Sequence, residues 1–351
     1  MGLQERIIGV GFAAFRLTGL HKLAGAATRG RGAVLMFHHV RPWRPASPGF
    51  APNRLLEITP EFLDDALVLV RRLGFDIVAM DEALRRLAEG NAPPFATLTF
   101  DDGYRDTVNF ALPVLERHQA PFTVYVATGF AERSAGMWWL ELEEALRGAD
   151  RVEIADDGLS LTLPTRTPHE KTEAFARIYW ALRGGSEERL LRNVAALAAR
   201  HGVDGAAIVD ALCMNWAEIA ALARHPLAIV GAHTVSHKML GKWPIDVARE
   251  EMRRSKERIE ERLGRPVRHL AYPVGDPASA GRREFGLARE LGFASAVTTR
   301  PGMIFPAHNN HLTALPRVSV NGNWQDIGYF EVLLSGAPFA LWNRGRRLNV
   351  A

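Results

Sequence analysis

Cysteine is all but missing from this 351-residue chain, with Cys213 alone. No internal disulfide and no cysteine-rich zinc site can therefore form, although compartment stays open, since secreted proteins without bridges exist. Long apolar runs are missing too: none approaches the roughly 20 residues of a membrane-spanning helix. There is no internal repeat and no low-complexity tract. Excess charge is missing from most of the chain as well. The formal net charge is +4, and residues 1 to 32 account for all of it through Arg6, Arg16, Lys22, Arg29 and Arg31 against Glu5. A neutral main body lacks the basic stripe that nucleic acid would require, so no nucleic-acid partner is expected.

What is present is a soluble, globular composition, 47% hydrophobic and 23% charged, long enough for one large domain or two small ones. From Ala33 onward, short runs of Val, Ile, Leu and Phe alternate with amphipathic stretches. Strands are predicted at 33–40, 75–79, 96–101, 122–128, 228–233, 268–273, 294–299 and 315–320. Period-3.6 spacing predicts helices near 60–73, 81–89, 106–118, 245–263 and 282–291. Thr59 and Pro60 mark a helix start as cap and first helical residue. Strands apolar throughout, such as Phe122 to Ala127, suit a parallel sheet covered on its outer face. The alternation implies an α/β barrel or a doubly wound sheet.

The rhythm breaks between about 131 and 226, read as a largely helical insertion with a hairpin around Asp156-Asp157-Gly158. Its tryptophans, Trp138, Trp139 and Trp180, together with Trp216, are read as packing residues, with a sugar platform as the alternative. The chain divides into a basic N-terminal helical segment at 1–32, a main domain at 33–325, and a C-terminal helix with a basic tail at 326–351. Arg6 to Arg16 has the outline of a signal peptide, but its apolar stretch is short, glycine-broken and closed by arginine. It is read as a helix packed on the domain, with a basic amphipathic helix at a membrane surface as the alternative. Phe339 to Trp342, followed by Arg344, Arg346 and Arg347, has the same ambiguity. A cytoplasmic or membrane-peripheral protein is expected in preference to a secreted one.

The run Ala96-Thr-Leu-Thr-Phe-Asp101-Asp102-Gly103 stops on two carboxylates. Within a continuous strand the two would point to opposite faces and one would be buried uncompensated, so the pair belongs at a strand end. There one carboxylate can bind a metal and its neighbour can act as a base. His233 and His237 follow a second apolar run, and on a helical turn they would share a face, with about 5.4 Å of rise between them. Two histidines and one carboxylate leave positions open for water, the pattern of a hydrolytic metal site. Further apolar runs end on Phe37-His38-His39, on Tyr272-Pro273-Val274-Gly275, and on Leu315-Pro316-Arg317.

Thr99-Phe-Asp-Asp-Gly103, His233-Thr-x-x-His237 and Ala271-Tyr-Pro-x-Gly275, in this order, resemble the motifs of the polysaccharide deacetylase family, over about Val34 to Val320. The resemblance implies a distorted (β/α) barrel of seven or eight strands, an acetylated glycan as substrate, and removal of acetyl groups with one divalent metal. Zinc is expected foremost, with cobalt, manganese or nickel as alternatives. Carried over residue by residue, Asp102, His233 and His237 would bind the metal and Asp101 would be the base. Tyr272 and Pro273 would belong to a wall of the cleft where a backbone N–H can meet an oxyanion.

The late Leu-x-x-His motif and the usual motif arginine are not recognisable. Phe37-His38-His39 resembles the early Tyr-His motif of the permuted subgroup acting on poly-N-acetylglucosamine. His38 is therefore expected to be the acid, with His39, His308 and His311 as alternatives, and Arg317 to be the partner of Asp101. The alternatives in function are an amidohydrolase of a small amide or ureide, and a glycan-binding scaffold without activity.

Overall fold

The computed structural model describes residues 3–44, 49–156 and 158–350, with side chains from residue 9; Asp157 and the side chains of Glu5 and Arg6 from the stretches above lie outside that description. Eight parallel strands form the main sheet: β1 (Gly32–Phe37), β2 (Asp76–Ile77), β3 (Phe95–Phe100), β4 (Phe122–Val126), β5 (Ala228–Ala232), β6 (His269–Ala271), β7 (Ser295–Pro301) and β8 (Leu315–Ser319). Neighbours run β1-β8-β7-β6-β5-β4-β3, and β1 also pairs with β3 from Gly32↔Phe95 to Phe37↔Phe100. Seven strands thus close into a barrel, and β2 adds to the start of β3 as an eighth. A distorted (β/α) barrel is what the strand pattern and the family resemblance implied, and the doubly wound alternative is excluded by the closure.

Closure explains why these strands are apolar throughout. Every residue of β1, β3 and β4 is buried, because one face meets the helices and the other fills the barrel. Ala33, Leu35, Phe37, Leu98, Phe100 and Val124 face outward and pack with Phe62, Leu63 and Val70 of the Pro60–Arg72 helix. Val34, Tyr125, Ala271, Val297 and Leu315 point inward, with Met80 and Phe95 joining the same interior cluster. Thr59 caps its helix as expected, accepting from the Phe62 N–H at 3.1 Å.

The helix Ile245–Leu263 matches its prediction to the residue. The predicted 106–118 helix is different: a π turn at Thr107–Ala111 precedes a short helix at Leu112–Arg117.

Residues 131–226 hold a helix at Trp138–Arg147, an antiparallel hairpin at Arg151–Asp156 and Leu159–Pro164, and helices at Pro168–Arg183 and Glu187–Arg200. Two shorter helices, Gly205–Leu212 and Trp216–Ala223, return the chain to β5 and were not predicted. The insertion has its own core, in which Trp138, Trp139, Phe175, Ile178 and Leu190 meet Phe50 and Phe130. Trp138 and Trp139 are therefore buried packing residues, whereas Trp180 is 66% exposed and meets Tyr179 edge-on with ring centroids 5.0 Å apart. The insertion is tied to the barrel rim by a backbone bridge between Tyr104 and Cys213 and by Met214 N–H donating to Gly103 O at 3.0 Å.

Candidate metal centre

All parallel strands of a barrel end on the same rim, so the residues following them are brought together whatever their separation in sequence. Asp101 follows β3, His38 follows β1, His233 follows β5 and Tyr272 follows β6. The β1–β3 register continues past Phe37↔Phe100, with Asp101 N–H donating to Phe37 O at 3.0 Å. His38 Nε2 consequently lies 3.9 Å from Asp101 Oδ2.

The turn at the end of β3 is left-handed twice over, with φ 69° at Asp102 and 68° at Gly103. A left-handed aspartate is uncommon and costs energy. It swings the Asp102 side chain to the rim that Asp101 already faces.

The His233–His237 segment corrects the sequence expectation, because it is not a helical turn. Residues 233–237 are irregular, and Thr234 and His237 both have positive φ, 64° and 56°. The loop is held from outside. Glu251, on the Ile245–Leu263 helix, accepts from Val235 N–H at 3.0 Å, Ser236 N–H at 2.8 Å and Ser236 Oγ at 2.6 Å. Gly129 N–H donates to Val235 O at 2.7 Å, and a Cβ on Gly129 would meet that oxygen at 2.7 Å. Folded this way, the loop still brings both imidazoles to one point: His233 Nε2 and His237 Nε2 lie 3.4 and 3.3 Å from the same oxygen, Asp102 Oδ1.

These three donors, all buried, lie within 4.8 Å of one another and form the one such cluster among the described residues. Asp102 Oδ1 is buried without a hydrogen-bond partner. His233 Nδ1 donates to Ala271 O at 2.7 Å, which fixes the tautomer and leaves Nε2 as a donor to a cation. Two imidazole nitrogens and an orphaned carboxylate oxygen facing each other fit a divalent ion bound by nitrogen and oxygen. Burial pushes the Asp102 carboxyl up, but His233 and His237 outweigh it and hold it well below the usual range. Around His237, Trp139 and Phe130 stand with ring centroids 4.8 and 5.7 Å away. The insertion thus supplies a wall of the centre through Trp139.

Asp101 is paired differently. Arg317, fully buried on β8, donates from Nη1 to Oδ1 at 2.8 Å and from Nη2 to Oδ2 at 2.6 Å. Its Nε donates to Thr298 O at 2.8 Å, and Nη1 also reaches Thr99 Oγ1 at 3.2 Å. Burial pushes Asp101 up, and Arg317 overrides it, keeping the carboxyl below its ordinary value. Burial lowers the pKa of His38, with Asp101 and Asp102 pulling partly the other way.

The alternatives to His38 lie elsewhere or are engaged. His39 Nδ1 is 2.6 Å from Asp106 Oδ2 and its ring stacks on Tyr104. His308 is buried, with Nδ1 accepting from Phe305 N–H at 2.9 Å. It belongs to the segment whose Ile304 bridges to Gly32, at the start of β1, on the end of the barrel away from the centre. His311 closes the same 306–310 turn.

Tyr272 packs outward, its hydroxyl donating to Thr313 O at 2.8 Å, and its own N–H donates to Val297 O at 3.1 Å. Neither group of Tyr272 therefore turns toward the centre, so the expected contribution of Tyr272 and Pro273 narrows to the shape of the loop, in which Val274 has φ 60°. Glu251 was not singled out in the sequence, and Thr99, Ala271 and Trp139 were named there without the roles seen here; only their positions in space show what they contact.

The polysaccharide deacetylase family model matches residues 89–295, which takes in Asp101, Asp102, His233, His237 and Tyr272 and leaves His38 and Arg317 outside. No curated protein sequence matches the chain. Among solved structures, the chain is similar in fold to the Streptococcus pyogenes deacetylase PplD in complex with acetate, with 21% identity over 83% of this chain and 92% of that one and a TM-score of 0.50. It is similar also to IcaB from Ammonifex degensii, with 18% identity, 88% and 97% covered and a TM-score of 0.53. A third is a polysaccharide deacetylase from Bacillus cereus, with 16% identity, 86% and 68% covered and a TM-score of 0.52. With the family match spanning more than half of its length and holding both carboxylates and both histidines, the chain belongs to the polysaccharide deacetylase family.

Proposed function

We propose that this protein is a metal-dependent hydrolase removing acetyl groups from N-acetylglucosamine-containing oligo- or polysaccharides. The observation that carries the reading is the division of labour between two adjacent carboxylates. Asp102 faces two histidines, whereas its neighbour Asp101 faces an arginine and a third histidine, His38. Asp102, His233 and His237 would hold the ion, zinc first among the candidates. When bound, the ion supplies Lewis-acid polarisation of the acyl carbonyl and eases the ionisation of water.

Asp101 accepts a proton from the attacking water, and Arg317 keeps that carboxylate ionised and oriented beforehand. His38, on the neighbouring strand end, donates a proton to the departing sugar nitrogen. Water adds across the amide in total, giving acetate and a free amine. Burial of Asp101 and Asp102 excludes bulk water and strengthens each of these interactions.

The test is acetate release from a panel of N- and O-acetylated glycans, with small amides alongside, after reconstitution with zinc or cobalt. Release from N-acetylated glycans is expected, with Asp101→Asn lowering kcat by roughly 10²–10⁴-fold while metal stoichiometry is kept. Release from small amides alone would move the reading to an amidohydrolase of the same fold. Glycan binding without release would leave an inactive scaffold. Chelation should abolish turnover with little loss of secondary structure, because a barrel of this size does not need one ion to fold.

A further inference from the structure

The two ends of the chain meet. The helices Leu3–Thr18 and Leu20–Thr28 pack beside the C-terminal helices Ile327–Leu334 and Ala337–Trp342. Thr28 Oγ1 donates to Ser335 O at 2.7 Å, and Arg347 Nη2 donates to Ala27 O at 3.3 Å. Phe12 turns inward between Trp324 and Tyr329, at 5.3 and 5.5 Å, and His21 is buried.

The faces left outside are apolar where a solvated helix would be polar. Val10 and Leu17 are 70% and 87% exposed, a spacing of seven that puts both on one stripe. Leu20 and Leu23 continue on the next helix at 54% and 80%, and Leu341 and Trp342 stand beside it at 70% and 59%. These six are more than half of the eleven large hydrophobic side chains exposed among the described residues. Arg344, Arg346 and Arg347 are exposed beside them, with no carboxylate within ion-pair distance among the described residues. Arg16 and Lys22, by contrast, face Asp326 and Glu331 at 3.1 and 3.7 Å.

We propose that this corner, built from both ends of the chain, docks the protein on an anionic lipid surface. Leucines and a tryptophan rimmed by arginines that no described carboxylate neutralises match what such a surface offers: an acyl boundary for the apolar stripe and phosphate charges for the guanidinium groups. A second copy of the chain fits less well, because a two-fold contact through the same patch would bring Arg344, Arg346 and Arg347 against their own counterparts. No described helix is long and apolar enough to cross a membrane, so the contact is with the surface.

The test is flotation of the full chain with phosphatidylcholine vesicles, with and without about 30% phosphatidylglycerol. Binding to the anionic vesicles is expected, weakened at least tenfold in about 0.5 M salt, where exposed charges are screened. Leu20→Glu with Leu23→Glu, and separately Trp342→Glu, should each lower partitioning at least tenfold, and Arg344→Glu with Arg346→Glu should remove the preference for phosphatidylglycerol. Melting curves of these surface variants should match the parent. Absence of flotation, or binding indifferent to both sets of substitutions, overturns the proposal. Self-association in sedimentation that the same substitutions abolish overturns it in favour of a second copy. Acetate release plays no part in the readout, so this result and that of the glycan panel stand apart.

Discussion

At the scale of single residues, the centre depends on which charge each buried group faces. Arg317 has no solvent to fall back on and neither does Asp101, so removing one strands the other. Arg317→Met is expected to cost about 3–5 kcal/mol in urea unfolding, the range for breaking a buried pair. Without the guanidinium, burial would raise the Asp101 pKa and protonate the base, so turnover should fall while zinc is still bound. Unchanged turnover would remove Arg317 from the mechanism. Arg317→Lys should rescue little, because an ammonium cannot reproduce the paired contacts to both carboxylate oxygens. The carboxylate pair was legible in the sequence because two adjacent aspartates after an apolar run have no comfortable place inside a strand. Thr99 and Ala271 stood in the quoted motifs, but what they bond was not legible, since a threonine hydroxyl and a backbone carbonyl carry no signal until a partner stands next to them.

At the scale of elements, the histidine loop is governed by a helix that contributes nothing to the donor set. Glu251 holds two amides and a hydroxyl of residues 235–236, the loop that leads into the left-handed His237. Glu251→Ala should leave the barrel folded and weaken zinc affinity by roughly 10–100-fold, the usual cost of removing an outer-shell support, measured by competition with a chromophoric chelator. Affinity equal to the parent would show that the aromatic walls Trp139 and Phe130 hold His237 unaided. Helices with strong amphipathic period were placed within a residue or two, as with Ile245–Leu263. The His-x-x-x-His spacing misled, because a spacing of four fits a helical turn and a loop with two positive-φ residues equally well. Only Glu251 and Gly129, which grip the loop, decide between them.

At the scale of the whole molecule, closure of the barrel leaves a polar group deep at the end away from the centre. Burial lowers the His308 pKa from 6.5 to about 4, so the folded chain keeps a neutral ring where the unfolded chain binds a proton. That difference contributes stability in full above pH 6.5 and loses it as pH falls toward 4. Urea unfolding should show a loss of roughly 2 kcal/mol between pH 7 and pH 5 from this group, and His308→Gln should flatten that slope. An identical slope in the variant would place the pH dependence elsewhere.

The sequence by itself determined the strands, most of the helices, the α/β class and the carboxylates and histidines of the candidate centre, because hydrophobic period and strand-end carboxylates are local properties. Tertiary structure alone decided that the His233–His237 segment is a loop rather than a helical turn, that the insertion walls the centre with Trp139, and that the two ends of the chain make one surface. The physical reason is the closure of a parallel sheet, which sets side by side groups that no periodicity in the chain relates.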